Sequence, residues 1–148
     1  MNYDEVEILF VEDNLDDAAL TFHGLKKSGI TNIILHVKDG VEALDFMYCK
    51  GAYATRNINI KDQIKLVLLD LKMPKVSGIE VLQKLKTDPV LKTIPIVILT
   101  SSKEDLDIEK CYEYGANSYI VKPIESDNFF QAIKGLGIYW MSLNEPSR

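Results

Sequence analysis

The sequence predicts an α/β fold in which helices cover both faces of a parallel β-sheet. Five short apolar runs alternate strictly with five helix-like segments, and such alternation implies parallel strands joined by right-handed crossovers. Four of the runs end in a polar or charged residue, at the edge where open sheets of this kind bind ligands. With 148 residues and no repeat, low-complexity segment or linker, the chain has the length of one ordinary domain.

The first half of the chain supplies two strands and two helices. The apolar run Ile8–Val11 predicts the first strand, and Asp16–Ser28 predicts a helix that Gly29 ends. Ile33–Val37 predicts a second, short strand. Gly40–Cys49 follows as a helix, because its apolar residues fall on one face.

A polar connection separates the two halves. Lys50–Lys65 is longer than most loops of compact domains, so it is either mobile or a small surface device. Leu66–Leu69 then predicts the third strand, Ser77–Thr87 a helix that the Asp88-Pro89 step breaks, and Ile96–Leu99 the fourth strand.

The remaining elements complete the alternation. Lys103–Tyr114 predicts a helix ended by Gly115, and Ser118–Val121 predicts the fifth strand. The sequence predicts a last helix from Ser126, a residue type favoured at the N-cap, to about Leu143.

Composition narrows the class of protein. The apolar fraction of 47% and the charged fraction of 26% are those of a globular chain. A net charge of −5 without a basic cluster argues against a nucleic-acid partner. The acidic start lacks the apolar core of a signal peptide, and no apolar stretch has membrane-spanning length, so we expect a cytoplasmic protein without membrane contact. Cys49 and Cys111 have no metal or redox spacing and are interpreted as small apolar residues of helices in a reducing compartment.

The polar residues at the strand ends form one constellation. In chain order the apolar runs end with the pair Glu12-Asp13, with Asp70, with Thr100 and with Lys122. If the strands are parallel neighbours, these side chains meet at one edge of the sheet. Carboxylates, a hydroxyl and an ammonium gathered there make a site for a divalent cation and an oxyanion.

Together with Met73-Pro74 and Gly78, this set resembles a response regulator receiver domain, over roughly residues 6–139. The resemblance implies a flavodoxin-like sheet of strand order 2-1-3-4-5, and a single receiver domain over residues 1–148 without an output domain. It implies that Asp70 accepts a phosphoryl group from a phosphohistidine of a sensor histidine kinase. The signal would pass to a downstream protein by phosphorylation-dependent contacts, so the protein is a phosphoacceptor rather than a classified enzyme. The long connection before Asp70 and the aromatic last helix resemble the stand-alone receivers that serve phytochrome-type sensor kinases.

The resemblance gives the carboxylates two roles. Asp70 would be the in-line nucleophile for the phosphoryl group. Glu12, Asp13 and Asp70 supply hard oxygen ligands suited to Mg²⁺, and the family pattern adds the backbone carbonyl of Lys72. Without a cation the transfer to a carboxylate is repulsive, so we expect phosphorylation to depend on Mg²⁺. The alternative for Glu12 and Asp13 is that they only cap the first helix.

Three further residues receive roles in the same way. Thr100 would donate its hydroxyl to a phosphoryl oxygen, and Lys122 would pair with another as a mobile point charge. Tyr119 lies where the family has its rotameric aromatic switch, although it is also simply a good strand residue. His23 and His36 have no metal-binding neighbours in the sequence and are interpreted as ordinary histidines.

The family pattern also bears on the lifetime of the phosphorylated state. It places Lys72 and Ser102 beside the path of the hydrolytic water. Lys72 only donates hydrogen bonds and Ser102 is short, so neither can hold that water as a carboxylate or amide would. We therefore expect slow self-dephosphorylation.

The last helix suggests self-association. Phe130, Ile138, Tyr139 and Met141 fall outside its main apolar stripe, so the helix is apolar nearly all round. This favours a homodimer formed by the last helix with the neighbouring strand and helix, and the alternative is a tail folded back on its own domain.

Other function classes fit less well. A phosphorylation-independent docking module with the same fold would have no need of the intact set of site residues. A phosphatase or phosphotransferase with an Asp nucleophile would need a second Asp two residues after Asp70, where Lys72 stands. A nucleotide-binding protein would need a Gly-rich phosphate loop, which the sequence lacks.

Overall fold

The computed structural model describes residues 2–27, 29–56 and 63–122. Five strands form one sheet: β1 Ile8–Val11, β2 Ile34–Val37, β3 Leu66–Leu69, β4 Ile96–Thr100 and β5 Ser118–Val121. All neighbouring pairs are parallel and the strand order is β2-β1-β3-β4-β5. The predicted α/β fold and the flavodoxin-like order are thereby confirmed.

Four α-helices lie in the described residues: α1 Leu15–Lys27, α2 Gly40–Met47, α3 Gly78–Thr87 and α4 Asp105–Glu113. Three short 3₁₀ helices span Tyr3–Glu5, Gly51–Tyr53 and Leu91–Thr93. No helix within the described ranges is both long and apolar to the degree that crossing a membrane requires. The predicted last helix over residues 126–143, and with it that part of the predicted dimer interface, lies outside the described residues.

Several boundaries differ from the predicted ones by one or two residues. Helix α1 begins at Leu15 rather than Asp16, because Asn14 caps it, and β2 begins at Ile34. Strand β4 extends through Thr100, so the candidate hydroxyl belongs to the strand itself. Ser77 is not the first residue of α3 but its N-cap, and its hydroxyl accepts a hydrogen bond from the Glu80 N–H group at 3.3 Å.

The helical placement of Cys49 is wrong. Helix α2 ends at Met47, and Cys49 has a φ of 54°, the left-handed conformation that closes a helix rather than continues it. Cys111 is buried in α4, as expected, although α4 is shorter at both ends than the predicted segment.

Each strand sends alternate side chains into two separate apolar cores. Odd positions of β1, such as Leu9 and Val11, pack with α2, α3 and the Cys111 face of α4. Even positions, such as Ile8 and Phe10, pack with the buried face of α1. Because both faces are buried, all residues of β1, β3 and β4 are apolar up to their carboxyl ends. In these three strands the first polar residue therefore marks the carboxyl edge of the sheet.

The connection before β3 is anchored at both of its described ends. Arg56 is 6% exposed, and its guanidinium lies 3.8 Å from the ring centre of Phe46 while donating to the Phe46 carbonyl at the end of α2. The same guanidinium donates to Gln63 Oε1 at 2.7 Å, and Gln63 in turn donates to the carbonyls of Tyr3 and Val6. Of the two alternatives for this connection, the network favours a small surface structure over a mobile loop for residues 50–56 and 63–65.

Gly78 allows α3 to start directly against the end of β3. A Cβ atom at this position would lie 2.0 Å from the Asp70 carbonyl oxygen and 2.7 Å from the Leu71 Cα atom. The Gly78 N–H group donates to the Leu71 carbonyl at 2.9 Å. No larger residue fits here without moving the backbone that carries Asp70.

Candidate functional site

The register of the sheet sets the candidate residues side by side. Val11 of β1 pairs with Leu69 of β3, so the next residues, Glu12 and Asp70, leave neighbouring strands at the same level. The Asp70 N–H group donates to the Val11 carbonyl at 3.1 Å and continues the ladder. The pairing of β4 with β5 is likewise continued beyond the last strand residue, because the Lys122 N–H group donates to the Thr100 carbonyl at 2.8 Å.

Three carboxylates form a cluster at this edge. One oxygen from each of Glu12, Asp13 and Asp70 lies within 4.8 Å of the other two. Glu12 is fully buried, Asp70 is 7% exposed and Asp13 is exposed, so the cluster opens to solvent on one side. The Leu71 N–H group donates to Asp70 Oδ1 at 2.8 Å and fixes the orientation of that carboxyl group. An opening lined by hard oxygen donors fits a divalent cation that keeps some of its waters.

Burial makes Asp70 an unusual carboxyl group. Desolvation, together with a hydrogen bond and charge repulsion from Glu12, raises the pKa of Asp70 to about 7. The Lys122 ammonium and the Leu71 N–H group oppose this shift but do not cancel it. Ionising this buried carboxyl group beside Glu12 therefore costs free energy, and a bound cation would lower that cost.

Lys122 lies among the carboxylates rather than in solvent. Its Nζ atom donates to Glu12 and to Asp17 Oδ2, the latter at 3.0 Å, and it lies 3.8 Å from Asp70 Oδ2. The side chain is 12% exposed. Burial lowers the pKa of Lys122, but the hydrogen bonds to Glu12 and Asp17 and the attraction of Asp70 outweigh burial and raise it. The ammonium therefore stays charged beside the candidate acceptor.

Asp17 is a member of the site that sequence reasoning missed. It lies in the first turn of α1, where an acidic residue is expected to serve the helix itself. The helix is capped instead by Asn14, whose Oδ1 accepts a hydrogen bond from the Asp17 N–H group at 2.9 Å. In the sequence, Asp17 is only a carboxylate one helical turn after Glu12-Asp13. Helix N-termini favour negatively charged residues, so this position gave no separate sign of a role in the site.

Glu12 is held in place from two directions. His36 donates from Nε2 to the Glu12 carbonyl at 2.7 Å, and its ring lies 5.2 Å from the ring of Phe10. Glu12 Oε2 accepts a hydrogen bond from the Asn14 N–H group at 3.2 Å. Glu12 thus assists the start of α1 and faces the cluster at the same time. His23 is exposed on α1.

Thr100 and Tyr119 are linked through Ser102. The Ser102 N–H group donates to Thr100 Oγ1 at 3.3 Å, and the Tyr119 hydroxyl donates to the Ser102 carbonyl at 3.0 Å. The Ser102 hydroxyl donates to Asp107 Oδ2 of α4 at 2.5 Å, so the residue is buried against that helix. Thr100 is 1% exposed and Tyr119 is half-buried.

Lys72 is exposed in the loop between β3 and α3. The role of its backbone carbonyl as a metal ligand stays a prediction. The structure thus brings Glu12, Asp13, Asp70 and Lys122 into one cluster, and it connects Thr100 with Tyr119 at the adjacent end of β4.

Comparison with known families gives one match that spans most of the chain. Residues 8–134 match the response regulator receiver domain. Among curated proteins, the response regulator Rcp1 of Synechocystis sp. (strain PCC 6803) is 35% identical over 134 residues, which are 90% of this chain and 88% of Rcp1.

Solved structures of similar proteins agree with this match. The bacteriophytochrome response regulator AtBRR is 46% identical with a TM-score of 0.82, over 95% of this chain and 98% of that one. The bacteriophytochrome response regulator RtBRR is 44% identical with a TM-score of 0.83, over 96% of this chain and 84% of that one. A crystal structure of Rcp1 in its Mn²⁺-bound form has a TM-score of 0.74, over 97% of this chain and 99% of that one.

Proposed function

The chain belongs to the response regulator receiver family, and on that premise we propose that it is a two-component phosphoacceptor whose acceptor is Asp70. Proteins of this family are signalling modules that work between histidine kinases and downstream targets. The observation that carries the proposal is the cluster at the carboxyl edge of the sheet: Asp70 lies with Glu12 and Asp13 within 4.8 Å, and Lys122 lies 3.8 Å from it.

The donor set fits a divalent cation, which Glu12, Asp13 and Asp70 would hold together with the Lys72 carbonyl. The supporting observation is the pKa of Asp70, which burial and Glu12 raise to about 7, because a cation bound beside this carboxylate would lower the cost of ionising it. When bound, the cation supplies charge neutralisation for the incoming phosphoryl group. The Mn²⁺-bound form of Rcp1 is consistent with this choice. In the cell we expect Mg²⁺, since the ligands are hard oxygens and part of the site is open to water.

The chain's own residues would perform the transfer mainly by positioning. An Asp70 carboxylate oxygen attacks phosphorus, the P–N bond of the phosphohistidine breaks, and its electron pair returns to the imidazole nitrogen, which takes up a proton. The product is an acyl phosphate on Asp70. The Leu71 N–H group holds the carboxyl orientation before attack, and the Lys122 ammonium lies ready for a phosphoryl oxygen.

The readout would begin at Thr100. If its hydroxyl turns to a phosphoryl oxygen, the Ser102 N–H group loses the acceptor that it has at 3.3 Å. The carbonyl of the same residue holds the Tyr119 hydroxyl at 3.0 Å, so a shift of Ser102 would release the ring. This chain of contacts supports the switch role of Tyr119 and a readout on the surface of α4 and β5.

The same proposal covers the partners and the location. The likeness to AtBRR and RtBRR, both bacteriophytochrome response regulators, supports a phytochrome-type sensor histidine kinase as the phosphodonor. We propose that residues 1–148 act in the cytoplasm as a single receiver that passes its signal to a downstream protein by contact. The protein then catalyses its own phosphorylation and dephosphorylation without being a classified enzyme.

A phosphorylation assay tests the proposal. The wild-type chain, Asp70→Asn and the control Asp16→Asn, which removes an exposed carboxylate from α1, are incubated with a small phosphoramidate donor and Mg²⁺. We expect an acid-labile phosphoryl group by intact-mass spectrometry on the wild type and on the control. We expect none on Asp70→Asn, and none on any variant in excess chelator.

Label that persists in Asp70→Asn would overturn the assignment of the acceptor. Full labelling in excess chelator would overturn the need for a cation. A wild-type chain that takes no phosphoryl group from the donor, and none from any sensor kinase of the source organism, would favour the phosphorylation-independent docking module.

A further inference from the structure

Asp17 makes a contact that the family resemblance does not assign to it. Its Oδ2 atom accepts a hydrogen bond from Lys122 Nζ at 3.0 Å, while Lys122 also donates to Glu12 and lies 3.8 Å from Asp70. We propose that Asp17 is a positioning residue that keeps the Lys122 ammonium at the phosphoryl site when a divalent cation occupies the other carboxylates. The inference rests on the proposed function and adds a residue to it.

The contact is not a by-product of helix capping. An acidic side chain at this position usually turns back to the free N–H groups at the helix start. Here the Asn14 side chain caps α1, and the Asn14 N–H group is taken by Glu12 Oε2 at 3.2 Å. The Asp17 carboxylate is directed to Lys122 instead, across 105 residues of sequence.

Charge explains why such a residue is useful. Lys122 contacts two carboxylates closely, Glu12 and Asp17, and Glu12 belongs to the candidate cation set. A divalent cation on Glu12 and Asp70 would take up their charge and repel the ammonium. A flexible, strongly hydrated lysine would then turn out to solvent. Asp17, outside the cation set, still holds it.

The distances allow Asp17 to hold Lys122 without withdrawing it. Nζ lies within 4 Å of both Asp17 Oδ2 and Asp70 Oδ2, so a phosphoryl oxygen on Asp70 can be reached while the Asp17 contact persists. The opposite role, in which Asp17 restrains Lys122 away from the site, would require Nζ to be remote from Asp70. The two roles predict changes of opposite sign.

The test uses beryllofluoride, a phosphoryl mimic, titrated calorimetrically into the full chain at saturating Mg²⁺. For Asp17→Asn we expect affinity to fall about five- to tenfold, the worth of one charge-assisted contact at a partly exposed site. Asp17→Glu should recover most of the loss, because it restores the charge. The matched control Asp16→Asn, with the same chemistry on the same helical turn, should stay within about twofold of wild type.

A double-mutant cycle separates positioning from helix stability. In a Lys122→Ala background, Asp17→Asn should change beryllofluoride affinity by less than about twofold, because the residue through which it acts is gone. An equal loss in both backgrounds would assign the effect to α1 and overturn the inference. Unchanged or tighter binding by Asp17→Asn alone would also overturn it. Failure of the wild type to bind beryllofluoride would instead count against the proposed function.

Discussion

Asp70 combines deep burial with negative neighbours, and this combination governs the behaviour of the metal-free protein. The side chain lies beside Glu12 and Asp13, and only Lys122 among the charged residues around it favours its ionised form. The cost of ionising Asp70 in the folded state therefore lowers stability. The same cost makes the site receptive to a cation, because a bound cation would stabilise the ionised form of Asp70 against both burial and repulsion by Glu12.

The first prediction concerns the pH dependence of stability. Because the folded-state pKa of Asp70, about 7, lies above the ordinary value near 4, the folded protein binds more protons than the unfolded chain between pH 4 and 7. This group therefore makes the metal-free protein less stable as pH rises through that window. We expect Asp70→Asn to raise the free energy of unfolding by on the order of 2 kcal/mol at pH 8, and this gain should vanish near pH 4.

Urea unfolding from pH 4 to 8, in chelator, measures this difference. Mg²⁺ at pH 8 should stabilise the wild type and leave Asp70→Asn nearly unchanged. The surface control Asp16→Asn should follow the wild type within about 0.5 kcal/mol. Coincident stability profiles for wild type and Asp70→Asn would contradict the buried-charge argument.

The second prediction concerns the lifetime of the phosphoryl group. Ser102 is 7% exposed and its hydroxyl donates to Asp107, so it is not available to hold a hydrolytic water. Lys72 can only donate. We expect slow self-dephosphorylation in the wild type. Lys72→Asn should lose its phosphoryl group about three- to tenfold faster, because the Asn amide can both accept a hydrogen bond from the hydrolytic water and donate one to it.

Phosphate loss is followed on purified, kinase-free protein by intact-mass spectrometry. Lys72→Ala tests whether the lysine also shields the phosphoryl oxygens. Lys75→Asn is the matched control: the same change in the same loop, at a residue whose φ of 66° Asn tolerates. Wild type clearing phosphate as fast as Lys72→Asn would show that the identity of this residue does not control the lifetime.

Among the elements, the junction of β3 with α3 sets the position of Asp70, the proposed acceptor. Asp70 follows the last strand residue directly, and α3 starts against its backbone because Gly78 has no Cβ atom. The Ser77–Glu80 capping box fixes where that helix begins. Asp70 is thus held by a strand end and a helix start, rather than by a free loop.

Gly78→Ala tests this junction. The added Cβ atom would meet the Asp70 carbonyl at 2.0 Å, so we expect a loss of about 2–4 kcal/mol in unfolding free energy and weaker Mg²⁺ binding. Gly29→Ala is the control, because Gly29 has a φ of 85° but a Cβ atom added there would have nothing within 4 Å. It should cost about 1–2 kcal/mol from backbone strain and leave Mg²⁺ affinity intact. Equal Mg²⁺ affinity in Gly78→Ala and wild type would contradict the role given to the junction.

For the whole molecule, the described surface adds to the argument for self-association. Leu106 and Tyr112 of α4 are exposed apolar residues beside β5, on the side where the sequence predicts the dimer. The residues of the last helix that motivate the dimer lie outside the described residues. The dimer therefore stays a prediction, and the exposed apolar residues of α4 support one part of its expected interface.

Light scattering with and without beryllofluoride tests the dimer. We expect a dimer at micromolar concentrations. In Leu106→Glu the dissociation constant of the dimer should rise at least about tenfold, because a charge would be buried at the interface. Leu20→Glu, an equally polar change at an exposed leucine of α1, is the control and should not alter association. A monomer at high concentration in both ligand states would remove the prediction.

The sequence by itself determined the α/β class, the order of the elements and the edge of the sheet where polar residues gather. It could do so because buried parallel strands are apolar throughout, which makes each run stand out and makes its first polar residue a marker of the edge. The strand order and the roles proposed for Asp70, Thr100, Lys122 and Tyr119 came from family resemblance, because spacing alone carries no pairing information. Helix ends were the least determined, as at Cys49, where a left-handed residue closes α2.

Only the tertiary structure decided which charges meet. Asp17 and Lys122 are 105 residues apart, and their contact depends on the first turn of α1, which follows β1, and the residue that follows β5 meeting at the same edge of the sheet. The same holds for the Ser102–Asp107 hydrogen bond and for the anchoring of Arg56 between Phe46 and Gln63. Such contacts depend on side-chain direction and burial, which a one-dimensional pattern of residue types does not encode. The pattern shows where a site lies, and the packing of distant elements decides which carboxylate pairs with its lysine.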